Sequence, residues 1–262
     1  MNPRRHLLGC LLVPVAAALL HGLPSRAAEL GPIIAAASDL NPVLEEIARR
    51  FAAETGKRVR LVFGSSGNLQ SQIRQGAPFE LFLSADEALV QALKSSGRLP
   101  DEGVIYGVGR LALFVGKTSP VRADPQFEDL RAAVRDHRLK RLALANPEHA
   151  PYGRAAREAL RYAELWDLLP SRLVFGENVV QAAQFAATGA AEAALVALSL
   201  TLAPRFRSTG SHALVPENWH SPLRQRMARV NPCSETATAF YAYLQTPTAR
   251  AMLATYGFRA PE

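Results

Sequence analysis

Of six histidines, four lie beyond residues 1–27: His137, His149, His212 and His220. None stands in an HxxxH or HExxH spacing that would aim two imidazoles at one metal. Two cysteines, Cys10 and Cys233, are too few for a disulfide framework or a Cys-based zinc site. Gly64-Ser65-Ser66-Gly67-Asn68 sets hydroxyls between glycines but lacks the glycine that completes G-x-S-x-G. There is no P-loop, and Gly107-Val108-Gly109 precedes a strand where a dinucleotide fingerprint would follow one. These failures argue against catalysis. A binding chemistry recurs instead: an apolar strand ends, small or hydroxylic residues follow, and a helix begins. This happens at Ala37-Ser38-Asp39, at Gly64-Ser65-Ser66-Gly67, at Gly176-Glu177-Asn178-Val179, and at the loop His149-Ala150-Pro151-Tyr152-Gly153. A helix start offers free N–H groups and roughly half a positive charge. Several such starts converging on one cleft hold an anion without Lys or Arg, and serine hydroxyls add donors. Each place alone reads equally as an ordinary N-cap, so only the set points to a small-anion cleft.

The elements that must position these places alternate in type. Apolar runs predict strands at Ile33–Ala37, Val59–Phe63, Leu81–Leu83, Leu111–Val115, Arg141–Ala145, Leu173–Phe175 and Ala193–Ala197. Helical stripes fill Asn41–Glu54, the segment opened by Leu69 and Ile73, Asp86–Ser96, Arg154–Leu169, Val179–Thr188, Glu235–Leu244 and Pro247–Tyr256. Alternating βα units predict mostly parallel sheets covered by helices. The alternation pauses near Tyr106–Gly109 and again near Ser208–Ser211. Two such crossings predict two α/β lobes with a cleft between them, where strand ends face helix starts. The expected division is residues 28–108 with 212–262 as one lobe and 109–211 as the other.

Residues 1–27 have the layout of a secretory signal: Arg4 and Arg5, the apolar run Leu7–Leu20, then Ser25-x-Ala27 at the cleavage spacing. The apolar run is shorter than the ~20 residues of a spanning helix. Most of it follows Cys10, so that cysteine reads as part of the signal and not as a lipid anchor. Arg4, Arg5 and Arg26 leave with the segment and no acid does, so the formal net charge of +7 becomes +4. A mildly basic surface suits an anionic ligand and is far from a nucleic-acid stripe. Apolar residues at 48 % and charged residues at 20 % exclude wholesale disorder.

Ala35-Ala36-Ala37-Ser38, Phe63-Gly64-Ser65-Ser66-Gly67-Asn68-Leu69 and Glu80-Leu81-Phe82-Leu83-Ser84-Ala85-Asp86 together resemble the periplasmic molybdate-binding proteins of ABC transporters. Asn146-Pro147-Glu148-His149-Ala150-Pro151-Tyr152-Gly153 and Glu177-Asn178-Val179 are similar to that family's second-lobe motifs. Phe240–Leu244 and Ala251–Phe258 are similar to its C-terminal signature. The resemblance implies a type II periplasmic-binding fold that closes on a tetrahedral oxyanion, molybdate and also tungstate. It implies ligands at Ser38 and Ser66 through hydroxyl and N–H, at Tyr152, and at Val179 through its N–H. It further implies a monomer without cofactor that passes its ligand to an inner-membrane permease.

Two positions depart from the simplest pattern. Where many family members carry a tyrosine at a strand end, this chain has Ala197, and Tyr152 stands where they have a small residue. The phenol is expected to have moved to Tyr152, the alternative being an aromatic on the rim. Asp39 is expected in a first helical turn facing solvent; facing inward, it would accept a proton from a protonated oxyanion and favour phosphate over molybdate. Alternative functions are a receptor for phosphate or sulfate, or an exported hydrolase or transferase with Ser66 as nucleophile and His149 as base.

Overall fold

The computed structural model describes residues 31–261; the signal segment and Cys10 lie outside the described residues. Ten strands form two five-stranded sheets of matching plan. The first holds β1 (Ile33–Ala37), β2 (Arg60–Gly64), β3 (Phe79–Ser84), β4 (Val104–Gly109) and β10 (Leu223–Arg229), in the order β2-β1-β3-β10-β4. The second holds β5 (Leu111–Gly116), β6 (Leu142–Ala145), β7 (Leu173–Gly176), β8 (Ala193–Ala197) and β9 (Gly210–Leu214), in the order β7-β6-β8-β5-β9.

The sheets are mixed and not mostly parallel. β1 pairs parallel with β2 and β3, and β6 with β7 and β8. β10 pairs antiparallel with β3 and β4, and β5 with β8 and β9. The strands that pair antiparallel with the βα strands, β5 and β10, are the ones that follow the two crossings between sheets. The first passage is the single residue Arg110 between β4 and β5. The return comes later than residues 208–211, because β9 pairs with β5 and residues 212–214 stay with the second sheet.

Helices cover the sheets: α1 (Asn41–Thr55), α2 (Ser66–Arg74), α3 (Glu87–Ser95), α4 (Glu128–Arg135), α5 (Pro151–Tyr162), α6 (Val179–Ala187), α7 (Leu198–Leu202), α8 (Pro204–Arg207), α9 (Glu235–Tyr243) and α10 (Pro247–Thr255). No helix among the described residues is long and apolar enough to cross a membrane. The strand alternation explains how the first sheet buries both faces. Ile34, Ala36, Leu81 and Leu83 pack on one side with α1, α9 and α10, while Ala35 and Phe82 pack on the other with Leu69, Ile73 and Val90. The helix expected over Arg154–Leu169 instead begins at Pro151 and ends at Tyr162, followed by short 3-10 turns at Trp166–Leu168 and Pro170–Arg172. Pro151 takes the first helical position, where its missing N–H costs nothing.

The C-terminal helices return to the first lobe through aromatic contact. The Phe51 ring on α1 meets Phe240 at 5.1 Å and Tyr243 at 5.3 Å, both edge-on, and Phe51 is 1 % exposed. Phe51→Ala should therefore cost about 3–5 kcal/mol of stability, read as a lowered urea midpoint in equilibrium unfolding.

Candidate anion-binding site

Ser38, Ser66, Tyr152 and Val179 all line one cavity at the junction of the two sheets. Its empty volume, including space open to the exterior, is about 200 Å³. No Lys or Arg lines it. A wider groove along α1 and the edge strand β2, lined by Arg49, Arg58 and apolar stems, is open to solvent and has no converging helix starts.

Each lining group comes from the end of a strand. β1 ends at Ala37, and Ser38 opens a 3-10 turn, Ser38–Leu40. β2 ends at Gly64, Ser65 is the N-cap of α2, and Ser66 is its first residue. Ser66 Oγ accepts from the Ala85 N–H at 3.0 Å, which leaves its own hydrogen to donate. Asn178 caps α6 by accepting from the Val180 and Gln181 amides at 3.0 and 3.2 Å, so the cap leaves the Val179 amide unspent. His149 pairs with Ser65, at 2.9 Å from Nδ1 to Oγ, and not with Ser66 as the hydrolase alternative requires. Among the described residues no group of three or more His, Cys, Asp or Glu is placed to hold a metal ion.

Tyr152, at the second position of α5, is 3 % exposed and so is not a rim residue. Its phenol oxygen accepts from Gln225 Nε2 at 3.2 Å, and burial, followed by the Asp39 charge, holds its pKa well above the usual phenol value. The hydroxyl therefore stays protonated. Gly109 makes room for it, since a Cβ there would lie 2.2 Å from the phenol oxygen. Ala197 is fully buried at the end of β8.

Asp39 corrects the expectation of a solvent-facing acid, because it is fully buried and lines the cavity. Its Oδ2 accepts from Gln225 Nε2 at 2.6 Å, and its Oδ1 is buried without a hydrogen-bond partner. Burial pushes its pKa from 3.8 up to about 6, against the opposing pull of Gln225 and Tyr152. Gln225 on β10 is the residue that sequence reasoning missed. It is fully buried, and its carbonyl accepts from the Tyr106 hydroxyl at 2.6 Å while Tyr106 also reaches the Ser84 carbonyl at 3.2 Å. Its only sequence signal is a polar residue at an inward position of Leu223-x-Gln225-x-Met227.

Two mixed α/β lobes, joined by two crossings and closing on a small cavity lined by helix starts, define a protein that holds a small solute between its lobes. Comparison with known proteins agrees. Residues 33–259 match the model of the bacterial extracellular solute-binding protein family. The molybdate-binding protein ModA of Rhodobacter capsulatus is 35 % identical over 246 residues, covering 93 % of this chain and 94 % of the relative. That of Azotobacter vinelandii is 35 % identical over 254 residues, covering 95 % and 96 %. The solved structure of the Azotobacter vinelandii periplasmic molybdate-binding protein superposes with a TM-score of 0.81 at 30 % identity, covering 88 % of this chain and all of that one. The chain belongs to the bacterial extracellular solute-binding protein family and has the periplasmic-binding fold of its molybdate-binding members.

The buried carboxyl has a consequence for stability. The folded-state pKa of Asp39 is raised, so its contribution is fully present below the unfolded pKa near 4 and is lost as pH rises through about 6. The shift corresponds to a cost of about 3 kcal/mol above that range. Asp39→Asn removes the ionisation and should stabilise the unliganded protein by up to about that amount at pH 7.5, with the difference shrinking toward zero near pH 4. Urea unfolding at several pH values checks it; a difference independent of pH would refute it.

Proposed function

We propose that this chain captures molybdate, and tungstate with it, in the periplasm and delivers it to an inner-membrane ABC permease. Export rests on the signal layout of residues 1–27, and the protein acts as a monomer without a cofactor. The observation that carries the reading is the convergence of helix and turn starts, with the Ser38 and Ser66 hydroxyls, on one small cavity without cations. Such a site holds a tetrahedral anion by N–H and O–H dipoles alone. The ModA proteins at 35 % identity support the choice of oxyanion. In this reading Ser38, Ser66 and Tyr152 donate hydroxyl hydrogens and Val179 donates its amide.

One observation favours a second reading. Asp39 Oδ1 is a buried acceptor without a partner beside the cavity. An acceptor inside an anion site suits a protonated oxyanion such as hydrogen phosphate. The raised pKa weakens this argument, because a carboxyl that titrates near 6 takes up a proton readily when a dianion binds beside it, and in that form it donates and does not repel.

A thermal-shift screen of sodium oxyanions separates the two. A ligand that binds only the folded state at a thousandfold excess over Kd adds about 4 kcal/mol of stability. Molybdate and tungstate should raise Tm by several degrees, and sulfate and phosphate much less. An equal or larger shift with phosphate would establish the second reading. In titration calorimetry with molybdate, Ser38→Ala, Ser66→Ala and Tyr152→Phe should each lose a donor to a charged acceptor, roughly 1.5–3 kcal/mol, and weaken binding about ten- to a hundredfold. Wild-type affinity in all three would mean that the cavity is not the site.

A further inference from the structure

We propose that His149 is the latch that holds the two lobes shut and sets how fast the bound anion leaves. This rests on the reading of the cavity as an anion site, but His149 itself does not line that cavity. It is a positioning residue that acts through the helix start beside Ser66.

Three contacts converge on it. Ser65 has the extended backbone of an N-cap, φ −69° and ψ 141°, yet its side chain makes no cap bond to its own helix. Serine at an N-cap ordinarily accepts from an amide two or three residues on. Here the hydroxyl crosses from the first lobe to His149 Nδ1 at 2.9 Å in the second. Two residues later, the Gly67 N–H donates to the His149 carbonyl at 2.9 Å. On the far side of the ring, His149 Nε2 faces the Glu177 carboxylate at 3.9 Å. The neutral tautomer with hydrogen on Nε2 meets both neighbours at once: Nδ1 accepts from Ser65 and the Nε2–H points to the carboxylate. His149 thus links the residues that flank Ser66 to the residues that precede Val179, the two donors contributed by opposite lobes. Opening the cleft must break the Ser65 and Gly67 bonds, which cross between the lobes, whereas the Glu177 contact lies within the second lobe and orients the ring.

The approach is close enough to demand glycine. A Cβ on Gly67 would lie 2.6 Å from the His149 carbonyl oxygen and 3.0 Å from its Cα, both backbone atoms that cannot yield as a flexible side chain would. Gly67 is also the second residue of α2, where alanine is the better helix former. Gly67→Ala should therefore leave the first lobe as stable or more stable while holding the lobes apart. A residue important only for the fold of its own lobe would show the reverse.

The test uses sodium molybdate as the probe, with calorimetry for Kd and stopped-flow tryptophan fluorescence for the rates. His149→Ala and Gly67→Ala should each release molybdate about tenfold faster or more, as expected for a lost hydrogen bond or a blocked approach. Association should stay near wild type, and the unliganded Tm should be unchanged or, for Gly67→Ala, higher. His149→Asn places an amide oxygen where Nδ1 stood and should recover most of the slow release. Small-angle scattering of the protein without anion should give a larger radius of gyration for Gly67→Ala than for wild type. A wild type that takes up no molybdate would sink the choice of oxyanion, and the latch would then be judged by scattering alone. Release rates equal to wild type in both alanine variants, or equal radii where no molybdate binds, would overturn the latch.

Discussion

The side-chain amide of Gln225 donates to the Asp39 carboxylate at 2.6 Å and to the Tyr152 phenol at 3.2 Å, while its carbonyl accepts from the Tyr106 hydroxyl at 2.6 Å. Four buried polar side chains from β10, the 3-10 turn after β1, α5 and β4 are joined in this way beside the crossings. Three belong to the first lobe and Tyr152 to the second. Buried polar groups are costly unless bonded, so this network favours the arrangement that keeps the Gln225, Tyr106 and Tyr152 groups paired, with Asp39 Oδ1 left over beside the cavity. The relative placement of β1, β4 and β10 against the start of α5 depends on it, and with that placement the position of Ser38 relative to Tyr152. The requirement for glycine at 109 follows from the same network, because the phenol occupies the space of a Cβ there.

Around this hub further groups join the lobes, among them Ser199, whose hydroxyl donates to the Asp39 carbonyl at 2.8 Å. The Arg154 guanidinium on α5 pairs with the Asp86 carboxylate, which also caps α3 by accepting from the Ala88 amide at 2.9 Å. Arg154 is therefore spent on an interlobe ion pair. In the proposed reading, selectivity falls to fixed dipoles and hydroxyls, whose directions are set by helix geometry. A mobile guanidinium would accept many anions; helix starts held at strand ends suit one size and shape. The small cavity volume and the lack of cations are two expressions of the same arrangement.

Much of this was legible in the sequence because apolar runs and helical stripes report burial directly. The strands around β1, β3, β6 and β8 are short and almost wholly apolar, and both of their faces are covered. β10 was illegible: Arg224, Arg226 and Arg229 interleave with Gln225, and a buried glutamine carries no hydrophobic signal. α5 read as a loop up to Gly153 because Pro151 and Gly153 are turn residues by composition, whereas Pro151 at the first helical position starts the helix. Asp39 misled for a related reason. An acid in a first helical turn is ordinarily exposed, and only the partners that surround it, Gln225 and Tyr152, reveal that it is interior. Those partners lie 186 and 113 residues away in the chain, beyond the reach of any local pattern.

Ser65 and Ser66 show where sequence and structure divide most sharply. They are identical in type and adjacent, and both sit between a strand end and a helix. The N-cap residue is still extended and the next is helical, so the two side chains leave the backbone in different directions. Ser66 turns inward, with its oxygen fixed by the Ala85 amide and its hydrogen left to donate. Ser65 turns across the cleft to His149. The glycine that follows them lets the second lobe approach the same helix end. One turn of α2 therefore carries a donor for the cavity, a side-chain tie to the opposite lobe and a main-chain tie beside it, so a change in how far the lobes close moves the donor and the ties together.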